Sequence, residues 1–151
     1  MALVYLALGS NLGNQLKNLN DAVIAISLEL GNVISVSDFI WSMPQGFVSE
    51  NRFLNGVLML ETEFSALCLL GKVKEIERLM GRTVNKSNEY EDRIIDIDIL
   101  LYDSQIINLP ELKIPHPKMT ERDFVLIPLA GIAPGLIHPV TGQKLSDFIR
   151  K

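Results

Sequence analysis

The chain has 151 residues, of which 48% are hydrophobic and 21% are charged. This balance is typical of one folded domain over residues 1–151 and excludes a disordered tail. The formal net charge of −4 argues against binding to a nucleic-acid backbone as the main activity. An acidic protein can still bind a polyanion where it concentrates arginines or recruits divalent cations.

Neither a membrane span nor a disulfide framework is expected. No stretch approaches the roughly 20 consecutive apolar residues that a spanning helix needs. The apolar opening lacks a basic segment and breaks at Gly9, so we expect a cytoplasmic protein that does not bind membranes. The single cysteine, Cys68, excludes a cysteine-rich zinc site within one chain, and its apolar neighbours predict a small core residue.

The first part of the chain predicts a strand, a loop and a helix. Residues 3–8 are apolar, as in a buried strand, and residues 9–13 form a polar loop. A helix is predicted over residues 15–30, because apolar side chains recur there near helical spacing: Leu16, Leu19, Val23, Ile26 and Leu30. Gly31 is a typical residue for the end of that helix.

Two strands and a second helix are predicted next. The strands cover residues 33–41 and 53–61, and the connection between them is long for a hairpin. Ser65 is a suitable N-cap for a helix that runs to about Met80 and ends at Gly81. Five residues recur along one predicted side of this helix: Leu67, Leu70, Val73, Lys74 and Glu77.

The last part of the chain alternates short elements with polar segments. Residues 82–92 have almost no apolar content and predict an exposed loop. Residues 93–102 have the clearest strand pattern of the sequence, and residues 106–107 predict a short strand. Short helices are predicted over residues 120–130 and 145–151.

The elements follow the order β-α-β-β-α-β, with additions. No repeat or low-complexity segment interrupts them. This order favours an α+β fold in which helices cover an antiparallel, ferredoxin-like sheet, over a doubly wound parallel sheet.

A pair of aspartates lies within the predicted strand over residues 93–102. Side chains alternate between the faces of a strand, so Asp96 and Asp98 share one face, roughly 7 Å apart by Cα. The other face is aliphatic: Ile95, Ile97 and Ile99. Two such carboxylates repel each other unless a cation lies between them, and hard oxygen ligands suit Mg²⁺ better than zinc.

An alternative is that both aspartates simply face water on the polar side of an amphipathic strand. The aliphatic flanks argue against it, and Asp is itself disfavoured in strands. Arg93, at the start of the predicted strand, adds a cation at the mouth of the same site. These features together favour metal binding.

Several further motifs accompany this pair in a specific order. They are GSNLG at residues 9–13, Phe53-Leu54-Asn55, Glu77 followed by Gly81-Arg82, RIIDIDIL at residues 93–100, Pro115-His116, and Arg122-Asp123-Phe124. In order and spacing, over nearly the whole chain, they resemble the 6-hydroxymethyl-7,8-dihydropterin pyrophosphokinase family of folate biosynthesis. The resemblance implies transfer of pyrophosphate from ATP to the hydroxymethyl group of the pterin, with release of AMP.

The resemblance also implies an ATP site with two Mg²⁺ ions. Asp96 and Asp98 match the metal ligands, and Arg82 and Arg93 match catalytic arginines that clamp the phosphates. The other implied ATP contacts are Glu77, Lys86, Tyr90, Ile99, His116 and Arg122. Many members carry a second arginine two positions after the first and a tryptophan before the strand, and this sequence departs from that pattern. Lys86 could supply the missing charge, and Tyr90 could stack in place of the tryptophan. From spacing alone, Glu77 could instead form a salt bridge with Lys74 or Arg78, and His116 could be a turn residue.

For the pterin, the resemblance implies a sandwich between two aromatic rings. Phe53 and Phe124 match these rings, and Asn55 matches the amide that reads the pterin edge. Ser42, Pro44 and Gly46 lie in the matching substrate loop. Without the resemblance, both phenylalanines would be interpreted as core residues.

Two other classes of protein are compatible with the aspartate pair. One is a nucleotidyl- or glycosyltransferase with a D-x-D metal site, and the other is a non-catalytic ligand-binding domain. The expected partners are small molecules, namely ATP and a reduced hydroxymethylpterin, and a monomer is favoured. His138 matches no functional position and is interpreted as structural.

Overall fold

The computed structural model describes residues 1–44, 51–81 and 93–150. The strands are Ala2–Ser10 (β1), Asn32–Val36 (β2), Ile40–Ser42 (β3), Phe53–Thr62 (β4), Asp96–Tyr102 (β5), Ile107–Asn108 (β6) and Lys113–Ile114 (β7). The α-helices are Gln15–Glu29 (α1), Ala66–Leu79 (α2) and Asp123–Ile132 (α3), and short 3-10 turns cover Met119–Glu121 and Leu145–Phe148. Among the described residues, no helix is long and apolar enough to cross a membrane.

Strands β1 to β5 form one antiparallel sheet in the order β2-β4-β1-β5. Strand β3 also pairs with β4, beyond the end of β2, and β6 pairs with β7 in a separate hairpin. With β2 and β3 counted as one interrupted strand, the chain order is β-α-β-β-α-β and β1 and β4 are central. This is the ferredoxin-like arrangement, so the predicted fold class is confirmed.

The two faces of the sheet bury different cores because side chains alternate along each strand. On one face, Val4, Leu6 and Leu8 of β1 pack with buried residues of α1 and α2. On the other face, Tyr5 of β1 packs with buried residues of α3, such as Leu129. The second face also carries the polar residues of the candidate site.

The predicted strand over residues 33–41 is wrong in one respect, since it is interrupted between β2 and β3. Ser37 Oγ accepts a hydrogen bond from Val57 N at 2.8 Å, where a continuous ladder would use a backbone carbonyl. The ring of Phe39 lies against Gly56, where a Cβ would be only 2.5 Å from Phe39 Cδ1. The interruption therefore depends on a side-chain acceptor and on a glycine in the neighbouring strand.

Strand β5 begins at Asp96, three residues later than predicted. Its register with β1 shifts once, because Leu6 pairs with Ile99 and Tyr5 pairs with Leu101. Leu100 is the extra residue of this bulge, and both Leu100 and Leu101 consequently pack in the core beside α3.

Helix α2 begins after the Ser65 cap as predicted, and Ser65 Oγ accepts from Cys68 N at 3.3 Å. Its buried side differs in phase from the predicted one and consists of Ala66, Leu69, Val73, Ile76 and Glu77. Leu67 is exposed. Cys68 is exposed as well, so its interpretation as a core residue is wrong.

The C-terminal third differs most from the prediction. The helix predicted over residues 120–130 is a 3-10 turn followed by α3, which extends to Ile132. The helix predicted over residues 145–151 is only the 3-10 turn Leu145–Phe148. Strand β7 was not predicted, because two residues carry no recognisable alternation.

Candidate active site

A cleft of about 640 Å³, including its open mouth, lies on the α3 face of the sheet. Its lining residues are Ala7, Leu8, Gly9, Ser42, Met43, Phe53, Asn55, Gly56, Arg93, Asp96, Asp98, Arg122, Phe124 and Val125. The cleft thus brings together residues predicted for the pterin and residues predicted for metal and phosphate.

Asp96 and Asp98 both line this cleft, as the strand alternation predicts. They pair in register with Gly9 and Ala7 of β1, so their backbone is part of the central sheet. The Nη1 atom of Arg93 lies 3.1 Å from Asp96 Oδ1. Arg93 precedes β5 and reaches forward to the first aspartate of the strand.

The electrostatics of Asp98 favour a cation beside it. Burial, and then the negative charge of Asp96, raise the pKa of Asp98 to about 7. The positive charge of Arg122 opposes this shift without cancelling it. A carboxylate in this position is stabilised by additional positive charge, so Asp96 and Asp98 are the residues that could hold a metal ion.

His116 lies beside the aspartates. Its Nε2 atom is 4.0 Å from Asp98 Oδ2, and its backbone N–H donates to Leu100 O of β5 at 2.9 Å. Burial and the charge of Arg122 lower the pKa of His116 to about 4, so the ring is neutral at pH 7. Because His116 Nδ1 accepts from Lys118 N at 3.2 Å, the ring proton is on Nε2, which faces the aspartates.

Arg122 connects the two halves of the cleft. It directly precedes α3, and its guanidinium lies over the ring of Phe124, with 5.7 Å between Cζ and the ring centroid. Two arginines, Arg93 and Arg122, therefore face two aspartates. The pattern suits a polyphosphate whose charge is partly balanced by metal ions.

The side chain of Glu77 does not line the cleft. It is 2% exposed, and its Oε2 accepts a hydrogen bond from Ile97 N of β5 at 2.8 Å. Arg78, one of the two salt-bridge partners considered for it, instead pairs with Glu75 on the helix surface. Glu77 therefore contacts the backbone of β5, the strand that carries the aspartates, and does not enter the cleft.

The aromatic half of the cleft is built on β4 and α3. Phe53 and Phe124 are both half-buried and line the cleft. Asn55 is 5% exposed, and its Nδ2 donates to three oxygens: Ile40 O at 3.1 Å, Ser42 Oγ at 2.8 Å and Phe53 O at 3.3 Å. The donor side of this amide is therefore used by the protein, which leaves Oδ1 as its acceptor for a ligand.

Two residues of the GSNLG motif have roles that the motif did not reveal. A Cβ at Gly9 would lie 3.4 Å from Phe53 Cδ1 and 3.5 Å from Asn55 Oδ1, so the glycine leaves space at the floor of the cleft. Asn11 is buried; its Oδ1 accepts from Arg93 N at 2.6 Å, and its N donates to Arg93 O at 3.0 Å. Asn11 thus fixes the backbone at Arg93. The two residues are 82 positions apart, so this contact could not be inferred from the sequence.

Of the remaining predicted residues, the structure describes only Pro44 and Ile99. The other four fall outside the described residues: Gly46, Arg82, Lys86 and Tyr90. Pro44 is described but does not line the cleft. Ile99 is buried in the core on the α1 and α2 side of the sheet, opposite the aspartates.

The chain matches the family model described as 7,8-dihydro-6-hydroxymethylpterin-pyrophosphokinase (HPPK) over residues 5–134. A 2-amino-4-hydroxy-6-hydroxymethyldihydropteridine pyrophosphokinase of Porphyromonas gingivalis is 45% identical over 142 residues, covering 92% of this chain and 95% of that protein. A protein of the same name from Haemophilus influenzae is 37% identical over 152 residues, covering 100% of this chain and 93% of its own.

Solved structures agree with the fold. The crystal structure of Plasmodium falciparum HPPK-DHPS wild type with pteroate has a TM-score of 0.78 and 16% identity. The likeness covers 97% of this chain and 43% of that one, so the chain spans less than half of the Plasmodium protein. Because the family model matches most of the chain and these two bacterial relatives are similar over nearly their whole length, the chain belongs to the 7,8-dihydro-6-hydroxymethylpterin-pyrophosphokinase family.

Proposed function

We propose that this chain transfers the pyrophosphoryl group of ATP to the hydroxyl of 6-hydroxymethyl-7,8-dihydropterin and releases AMP. The observation that carries the proposal is the set of side chains that line the cleft. Two carboxylates and two arginines, which suit metal ions and phosphates, share it with two phenylalanines and an oriented amide, which suit a flat heterocycle. Membership of the family makes this pairing of substrates the expected one.

The donor set fits Mg²⁺, and we propose two ions bound with the triphosphate. Asp96 and Asp98 supply hard carboxylate oxygens, and the raised pKa of Asp98 reflects a need for positive charge. Within the described segments, no group of three or more His, Cys, Asp or Glu side chains is arranged to hold a metal. Phosphate oxygens and water would complete the coordination shell, as is usual for Mg²⁺. When bound, the metal would neutralise phosphate charge and acidify a coordinated hydroxyl.

For ATP, the proposed phosphate contacts are Arg93, Arg122 and His116. The reaction forms a bond from the pterin hydroxyl oxygen to the β-phosphorus, breaks the bond from that phosphorus to the oxygen that leaves with AMP, and releases the hydroxyl proton. Negative charge grows on that leaving oxygen, so fixed guanidinium donors and the Nε2–H of His116 stabilise the transition state. The other proposed ATP residues are Arg82, Lys86 and Tyr90. Glu77 and Ile99 are proposed to act on ATP through strand β5, because their side chains do not line the cleft.

For the pterin, we propose stacking between Phe53 and Phe124, with Asn55 at the edge of the ring. The Oδ1 of Asn55 accepts from a ring or amino N–H, while its Nδ2 remains bound to the protein. Ser42 supports this amide directly, and Pro44 and Gly46 are proposed to lie along the same loop. Binding thereby fixes the hydroxymethyl group near the metal side of the cleft.

Substitution of the aspartates tests the proposal. The protein is mixed with Mg²⁺-ATP and reduced hydroxymethylpterin, and AMP and pterin diphosphate are quantified together. Wild type should form both products in equal amounts, and Asp96→Ala and Asp98→Ala should each be slower by more than about 100-fold, because ligands to charge-stabilising metals are lost. The control Asp21→Ala, on the surface of α1, should match wild type.

Near wild-type turnover in either aspartate variant would rule out the proposed metal site. The alternatives predict other outcomes. A nucleotidyl- or glycosyltransferase would form no pterin diphosphate, and a non-catalytic binding domain would form neither product.

We also propose that one domain over residues 1–151 acts as a monomer in the cytoplasm on these small molecules.

A further inference from the structure

Glu77 is a carboxylate in an unusual place. It lies near the end of α2 and is 2% exposed, although ionisable side chains are rarely buried unless they are hydrogen-bonded. Its Oε2 accepts from the backbone N–H of Ile97 at 2.8 Å. Ile97 is the residue between Asp96 and Asp98, so this bond reaches the peptide that links the two cleft carboxylates.

The position of β5 in the sheet explains why that peptide needs an acceptor. Strand β5 is at an edge of the order β2-β4-β1-β5, so β1 covers only one of its sides. Successive N–H groups of a strand point in opposite directions. The Ile97 N–H points to the open side, and Glu77 supplies there the acceptor that a further strand would have supplied.

The Ile97 backbone joins the two aspartates. The residues on either side of Ile97 pair with Gly9 and Ala7 on β1, and their side chains leave the strand toward the cleft. Rotation or outward movement of the Ile97 peptide would therefore displace Asp96 and Asp98 together.

We propose that Glu77 is a positioning residue for the metal site: it holds the Ile97 peptide and thereby sets the spacing of Asp96 and Asp98. This inference rests on the proposed function, because the proposed function gives the two aspartates a metal to bind. The inference also explains how Glu77 can affect ATP binding although its side chain does not line the cleft. The effect of Glu77 on ATP is transmitted through strand β5.

The test compares variants of Glu77 by the Mg²⁺ dependence of binding to a non-hydrolysable ATP analogue. Glu77→Ala removes the acceptor, Glu77→Asp shortens its reach by one methylene, and Glu77→Gln keeps a carbonyl oxygen at the same reach. We expect the Mg²⁺ concentration for half-maximal binding to rise roughly 10-fold or more for Ala and Asp, as for other groups that orient metal ligands. Glu77→Gln should stay within about threefold of wild type.

Two controls separate positioning from general stability. Glu75→Gln alters an exposed glutamate of the same helix and should change nothing, because Glu75 pairs with Arg78 on the helix surface, away from strand β5. Val73→Ala removes a buried methyl pair from α2 and should lower Tm without changing the Mg²⁺ dependence. Amide hydrogen exchange at Ile97 gives a direct readout and should accelerate in the Ala and Asp variants alone.

The outcomes are distinguishable. If wild type itself shows no Mg²⁺-dependent binding of the analogue, the proposed function fails. If wild type binds but Glu77→Ala and Glu77→Asp keep the wild-type Mg²⁺ dependence, or if Glu77→Gln loses as much as Ala, the positioning role is overturned. Should the Ala variant fail to fold, the comparison of Asp with Gln decides the question.

Discussion

At the scale of single residues, Asn55 is oriented before any ligand binds. Its Nδ2 has three protein acceptors, two of them from the segment around β3 and one from its own strand. These contacts use the donors of the amide and leave Oδ1 on the cleft side. A buried, fixed acceptor discriminates strongly against ligands that lack the matching donor, because the oxygen would then lose its hydrogen bonds to water.

Asn55→Ala should therefore weaken pterin binding on the order of tenfold, since leaving the buried donor of the ligand without its acceptor costs about 1–3 kcal/mol. Binding of Mg²⁺ and a non-hydrolysable ATP analogue should change by less than about twofold, because the variant leaves the aspartates intact. Isothermal titration with each ligand measures both effects. Asn32→Ala, an exposed asparagine at the start of β2, is the matched control. Equal losses for both ligands would contradict the assigned role.

Sequence reasoning could predict part of this site. Strand alternation alone placed Asp96 and Asp98 on one face, and the family resemblance added Phe53, Asn55 and Phe124, all of which line the cleft. The tautomer of His116, the burial of Glu77 and the link from Asn11 to Arg93 could not be predicted. These depend on contacts between residues far apart in sequence, which the topology of the sheet determines.

At the scale of elements, prediction succeeded where apolar residues continue through most of an element. Strands β1 and β4 and helix α1 were predicted to within two residues of their ends. The buried side of α2 was predicted out of phase, since Leu67 and Leu70 are as apolar as Leu69 and Ile76. The interruption between β2 and β3 is invisible in sequence because it depends on a neighbour, Gly56, in another strand.

His138 closes the C-terminal turn, in agreement with its structural interpretation. Its Nδ1 accepts from Val140 N and from Thr141 N, each at 3.2 Å, inside a turn closed by the bridge between Ile137 and Lys144. Burial lowers the pKa of His138 below its usual value. Both effects require a neutral ring, because a protonated Nδ1 cannot accept hydrogen bonds.

The sign of the pH dependence follows from that shift. Because the pKa of His138 is lower in the folded state, its contribution to stability is fully present above the unfolded pKa of about 6.5 and is lost as the pH falls toward the folded pKa. Between pH 7 and pH 5, Tm should fall more steeply for wild type than for His138→Asn, whose carbonyl keeps an acceptor that does not titrate there. Parallel Tm curves for the two proteins would contradict this assignment.

At the scale of the whole molecule, the candidate site lies on one face of the sheet and helices α1 and α2 cover the other. One face is closed by α1 and α2 and carries an apolar core, while the other face carries α3 and the cleft. Central strand β1 lies between the two strands that supply the site, β4 with the aromatic half and β5 with the carboxylate half. The β-α-β-β-α-β order predicted this sheet, whereas the placement of α3 over it followed from no local pattern.

The fate of the β-phosphorus of ATP tests the central claim most directly. ATP labelled at that phosphorus is incubated with the protein, Mg²⁺ and reduced hydroxymethylpterin, with Asp98→Ala as the inactive control, and the products are separated. Pyrophosphoryl transfer predicts that the label moves to the pterin while the released AMP is unlabelled. Label that remains in ADP, or that leaves as free pyrophosphate, would contradict the account.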